Sequence, residues 1–159
     1  MKKNLLAILV FSVAVLMSSC GNSAGNVNDT IVDELDKVEE LMSNVYDFII
    51  DDEYDNALAY LDSVANHAKE ATIIIANLKC KSAEKFQQAA VEYLAMYSTA
   101  AVDFRQAIEW YQSKDDELFE KADNLIDDFE TKTDEKLDEI IVLQAEFAEK
   151  NNLELEYNG

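Results

Sequence analysis

The chain has 159 residues, with 33 acidic side chains against 13 basic ones, one histidine, two cysteines, three glycines and no proline. A hydrophobic fraction of 49% is that of a globular protein and too high for a disordered one, and the length fits a single domain. A formal charge of −20 excludes ordinary nucleic-acid binding, which needs clustered Lys and Arg, and so few His and Cys exclude zinc fingers, iron–sulfur clusters and paired-histidine metal sites.

The N-terminus reads as an address. Lys2 and Lys3 give it a positive start, residues 5–17 form a thirteen-residue apolar run broken only by Ser12, and Ser18-Ser19-Cys20 follows. A bilayer needs about 20 apolar residues to be spanned, so the run is short for a permanent anchor and right for a signal peptide. Leu16-Met17-Ser18-Ser19-Cys20 resembles the lipobox of bacterial lipoproteins: a large aliphatic residue, small residues, then the modified cysteine. Met17 replaces the commoner leucine. The resemblance implies that residues 1–19 are a lipoprotein signal peptide, that Cys20 is acylated after cleavage, and that the product sits in the bacterial cell envelope. An outer-membrane, periplasm-facing position is favoured, because Gly21-Asn22-Ser23-Ala24 lacks the acidic residues that route some lipoproteins to the surface. Cleavage removes Lys2 and Lys3 and no acid, leaving 33 acidic against 11 basic residues. Anionic headgroups repel such a body, so the lipid must anchor it.

Residues 20–29 are small and polar after the cysteine and read as a flexible tether, reaching about 15 Å. Residues 30–159 then form an acidic helical domain. Apolar residues recur at steps of three and four: Ile31, Leu35, Val38, Met42, Val45; Tyr54, Leu58, Leu61, Ala65, Ala68, Ile75; Phe86, Ala90, Tyr93, Tyr97, Ala100, Phe104, Ala107, Tyr111; Leu118, Ala122, Leu125, Phe129, then Leu137, Ile140, Phe147. That is the helix period. It predicts helices near 30–50, 52–79, 83–112 and 115–150, with Thr30, Asp51 or Asp52, Ser82, and Ser113 as N-caps. Short connections make neighbours antiparallel, so the predicted fold is an all-α, up-down-up-down four-helix bundle. The polar stretch 130–136 interrupts the last stripe and predicts a kink there; the alternative is a three-helix bundle with a C-terminal helical arm.

Little of this supports catalysis. His67 is the only histidine, Val64 stands where a Glu-x-x-His di-iron motif needs glutamate, and no Gly-x-Ser-x-Gly elbow is present. The chain is therefore read as a non-enzyme with no cofactor and no metal site. The acidic groups at 51–55 and 115–117 match no calcium loop and suit helix N-termini, with weak divalent-cation binding as a third functional reading.

Two readings lead. The first is a membrane-anchored module that binds another envelope protein, with Tyr60, Ile74, Met96 and Trp110 as its partner-facing strip. The second is a binder of a small apolar or aromatic ligand between helices at Tyr93, Tyr97 and Phe104. Bundle topology also places Lys79, Lys81 and Lys85 beside the lipid as a basic, membrane-facing foot, opposite an acidic head. Cys80 lies on that foot outside any stripe, and either stays a thiol or pairs between molecules.

Overall fold

The computed structural model describes residues 13–15 and 21–155. Four helices dominate: α1 (Gly21–Ile50), α2 (Tyr54–Ala76), α3 (Glu84–Ser113) and α4 (Asp116–Asn151), with a 3-10 turn at Lys81–Ala83 leading into α3. Consecutive helices pack side by side, and α1 also approaches α3 across the diagonal. The result is the up-down-up-down four-helix bundle, with α4 packed along α3 rather than detached as an arm. Two three-residue strands, β1 (Val13–Val15) and β2 (Leu153–Leu155), pair antiparallel with Val13 opposite Leu155. Such a pair would not stand alone. Cys20 and the rest of the leader lie outside the described residues.

The predicted tether is overturned. α1 runs back to Gly21, and Ala24, Val27 and Asn28 are buried at 1%, 5% and 0% exposure. The α1 stripe simply continues toward the N-terminus as Ala24, Val27, Ile31, Leu35, Val38 at helical spacing. Burial outweighs the helix penalty of Gly25, about 1 kcal/mol relative to alanine. Asn28 is held by the buried side chain of Gln144 on α4, whose Nε2 donates to its Oδ1 at 2.9 Å. That bond fixes the register of α1 against α4, because a slip would bury both amides unpaired.

The caps also differ from expectation. Thr30 is interior to α1, its hydroxyl donating to Asn26 O. α2 has Glu53 as its N-cap, without a side-chain bond, while Asp52 accepts from the Tyr54 hydroxyl. Ala83, not Ser82, caps α3; the Ser82 hydroxyl is drawn to Asn151 Oδ1 at 3.1 Å. Asp115 caps α4, accepting from Glu117 N and Leu118 N. α4 passes through 130–136 as continuous helix. Thr133 is buried there with its hydroxyl on Phe129 O and Glu130 O, and Lys136 reaches Glu92 of α3 at 2.6 Å. Thr133, Lys136 and Lys132, which reaches Asp128, thus have partners compatible with helix.

With no glycine near the turns, three other residues take the left-handed backbone: Asp52 (φ 59°), Lys114 (φ 57°) and Asn152 (φ 53°). Asp and Asn tolerate this region; lysine does not, at roughly 1–2 kcal/mol. Lys114 is exposed and caps the C-terminus of α3, so Lys114→Gly should stabilise the bundle by about 1 kcal/mol and raise Tm by roughly 2–4 °C. A thermal melt of the two proteins decides it, and an unchanged or lower Tm would refute the strain argument.

Candidate functional site

The bundle has two distinct ends. At the head, the α1–α2 and α3–α4 connections meet, and Asp52, Tyr54, Tyr111, Gln112, Lys114 and Phe119 line an open groove of about 410 Å³. Tyr111 stacks edge-on against Phe119, ring centroids 4.6 Å apart, and donates to Asp123. The acids at 51–53, 55 and 115–117 are exposed around this end. Tyr54 feels them: limited burial and the Asp52 carboxylate push its hydroxyl up to about 12.

At the foot, the start of α1, the end of α4 and the α2–α3 connection come together through the Asn28–Gln144 and Ser82–Asn151 bonds. Gln87 closes the connection by donating to Ile75 O and Leu78 O. Lys79, Lys81 and Lys85 are all exposed here, beside Ile73 at 62% and Ile74 at 41% exposure. Cys80 departs from expectation, since it is 4% exposed within the main core, with Sγ 3.2 Å from Ser82 Oγ. The turn folds its side chain inward, which shields it from a second molecule.

The other sequence-derived residues fall into three places. Tyr60 packs on Phe48 of α1 at 5.1 Å, and the next residue of its stripe, His67, reaches Glu34 of α1. Ile74 continues this α1-side stripe of α2. Met96 follows Glu92 and Ala89, which face α4 through Lys136 and through a groove of about 420 Å³ that also touches Leu143, while Trp110 packs beside Ala107, Tyr111 and Ala122. The proposed strip is thus two separate surfaces, one beside α1 and one beside α4.

Tyr93, Tyr97 and Phe104 are together, as expected, but they fill the space assigned to a ligand. Phe104 is wholly buried, edge-on to Tyr46 at 5.7 Å and to Phe129 at 5.3 Å; Tyr97 meets Phe129 at 5.2 Å and Tyr93 at 5.0 Å. Large rings facing small alanines leave interdigitated aromatic packing at this level of the core.

One arrangement was not foreseen. Behind these rings, on the α1–α4 side, Glu39 of α1 comes into range of Asp134 of α4, and Tyr46 of α1 feels both Glu130 and Asp134. Tyr93 donates to Glu39 at 2.6 Å, and the Tyr93 and Tyr97 hydroxyls are 2.9 Å apart. Burial, then Asp33, pushes the Asp36 carboxyl up to about 6. Burial also raises Glu39, against the lowering effect of the Tyr93 bond, and burial followed by Asp127 and Asp134 raises Glu130. The three tyrosines around the seam are held protonated, mainly by burial. This side is the most sparsely packed of the bundle's four. Asp36 keeps its proton at a higher pH than an exposed aspartate does. Among the described residues, no group of three or more His, Cys, Asp or Glu is placed to hold a metal ion, and no helix is long and apolar enough to cross a membrane.

No family model matches the chain, no curated protein matches it, and no solved structure matches it.

Proposed function

We propose that the chain is a non-catalytic lipoprotein of the bacterial envelope, held to the membrane by acylated Cys20, whose helical bundle binds another envelope protein. The observation that carries this reading is the position of Cys20, where a short apolar leader ends in small residues and helix begins at once. More than one acyl chain makes such attachment stable, at about 0.8 kcal/mol per buried CH₂. The acidic head favours a partner with a basic surface, since complementary charge steers association and suppresses wrong encounters. An aromatic core that is already filled favours this reading over a ligand held between helices.

Crosslinking in living cells, followed by mass spectrometry, tests the proposal with Cys20→Ala as control. One dominant envelope partner is expected with the native chain, and Cys20→Ala should release the protein from the membrane fraction and lose that partner. A native chain whose mass carries no acyl group, or an unchanged membrane fraction for Cys20→Ala, would overturn the anchoring. An anchored chain without any partner above background would overturn the interaction module.

A further inference from the structure

The foot of the bundle bears an asymmetry that the overall charge hides. In a chain of net charge −20, residues 69–85 carry Lys69, Lys79, Lys81 and Lys85 against only Glu70 and Glu84. The last turn of α2 adds two exposed apolar side chains, Ile73 and Ile74. Beneath α4 and β2 the same end is acidic, with Glu146, Glu149 and Glu154 exposed against Lys150. Aliphatic side chains flanked by lysines suit the membrane interface, where the apolar part enters the acyl boundary and the ammonium groups meet phosphate.

The attachment point adds a geometric constraint. Because α1 is already helical at Gly21 and buried from Ala24, no loose spacer separates Cys20 from the bundle. An acyl group on Cys20 brings the foot to the bilayer with little freedom to stand off.

We propose that the acylated bundle stands upright with the α2–α3 half of its foot docked on the lipid surface, Ile73 and Ile74 in the interface and Lys79, Lys81 and Lys85 on anionic headgroups. The acidic half, under α4, is turned slightly away, and the head is presented to the partner. This rests on acylation of Cys20, as proposed above, and its test separates the two.

Trp110 is the single tryptophan and lies in the last turns of α3, at the head. A rise of 1.5 Å per residue puts it about 40 Å from the foot. The full chain is purified from producing cells, its mass is read for acyl groups, and it is reconstituted into phosphatidylethanolamine–phosphatidylglycerol vesicles with and without brominated acyl chains. Trp110 emission should be the same in both. In a Trp110→Phe background, Ile74→Trp should lose most of its emission to brominated lipid, and Ile73→Trp serves equally should that variant fold poorly. Adding Lys79→Glu, Lys81→Glu and Lys85→Glu should restore much of the emission without changing the acylated mass. An acylated chain whose tryptophan at 73 or 74 is unquenched overturns the docking and leaves the anchor standing. Equal quenching of Trp110 and of the foot positions means a bundle lying flat, which also overturns it. A mass without acyl groups overturns the anchor and the docking together.

Discussion

Phe104→Ala should cost the bundle about 3–5 kcal/mol, the usual range for deleting a buried phenylalanine. Domains of this size are stable by only about 5–15 kcal/mol in total. Phe104 has no exposed surface, and its ring is shared by Tyr46 of α1 and Phe129 of α4. It therefore bridges the side of the bundle that helix packing holds least. Neighbouring rings are themselves tied by the Tyr93 hydroxyl to Glu39 and cannot collapse freely into the space, so the cavity term should be nearly complete. Urea unfolding monitored by circular dichroism gives the loss as a drop in midpoint at constant slope. Because the cavity would be apolar and dry, benzene or toluene should partly restore the midpoint. A loss below about 1.5 kcal/mol would mean that the α1–α4 side repacks and that the ring is not the bridge described here.

How much of this was legible in the sequence differs by region, for physical reasons. The α3 stripe from Phe86 to Tyr111 is the buried face of that helix in the structure, because large apolar residues at strict three-and-four spacing admit one helical reading. The first turns of α1 were hidden by Gly21, Gly25 and three asparagines, whose composition is that of a linker. Only the extension of the Ile31 stripe through Val27 to Ala24 signals burial, and it carries small side chains. The caps were misassigned at Ser82 and Ser113 because a better partner was available in three dimensions: Asn151 for one, and the neighbouring Asp115 for the helix at the other. The burial of Cys80 is hidden because a turn residue belongs to no stripe, and it depends on how the connection folds under α3. The carboxylate seam was invisible for a different reason. With 33 acids in the chain, no spacing distinguishes Asp36 and Glu39 from the rest; only their burial in the folded bundle selects them.

That seam should make the protein more stable as the solution becomes mildly acidic. A carboxyl whose pKa is raised on folding binds its proton more tightly in the native state than in the unfolded chain. Its contribution is therefore fully present below the unfolded value, near 4, and is lost as pH rises through the folded value. For Asp36 the folded value is about 6, set first by burial and then by Asp33. Glu39 is shifted in the same direction, mainly by burial and with Asp134 of α4 facing it, and Glu130 by burial and then by Asp127 and Asp134 of its own helix. Stability should thus climb as pH falls from 7.5 to 5. Asp36 is half-buried, so screening by solvent reduces its share to roughly 1–2 kcal/mol. The overall negative charge contributes a general repulsion that acts the same way, and Asp36→Asn separates the two. The variant should be more stable than the native chain at pH 7.5, by about that amount, and the difference should narrow as pH falls and close only below about pH 4, where the unfolded carboxyl is protonated as well. Parallel pH profiles for the two proteins would assign the whole effect to net charge and remove the seam as its source. Where the profiles converge, the α1–α4 side is a contact whose strength is set by protons, and acidification should also slow hydrogen exchange along the facing turns of those two helices.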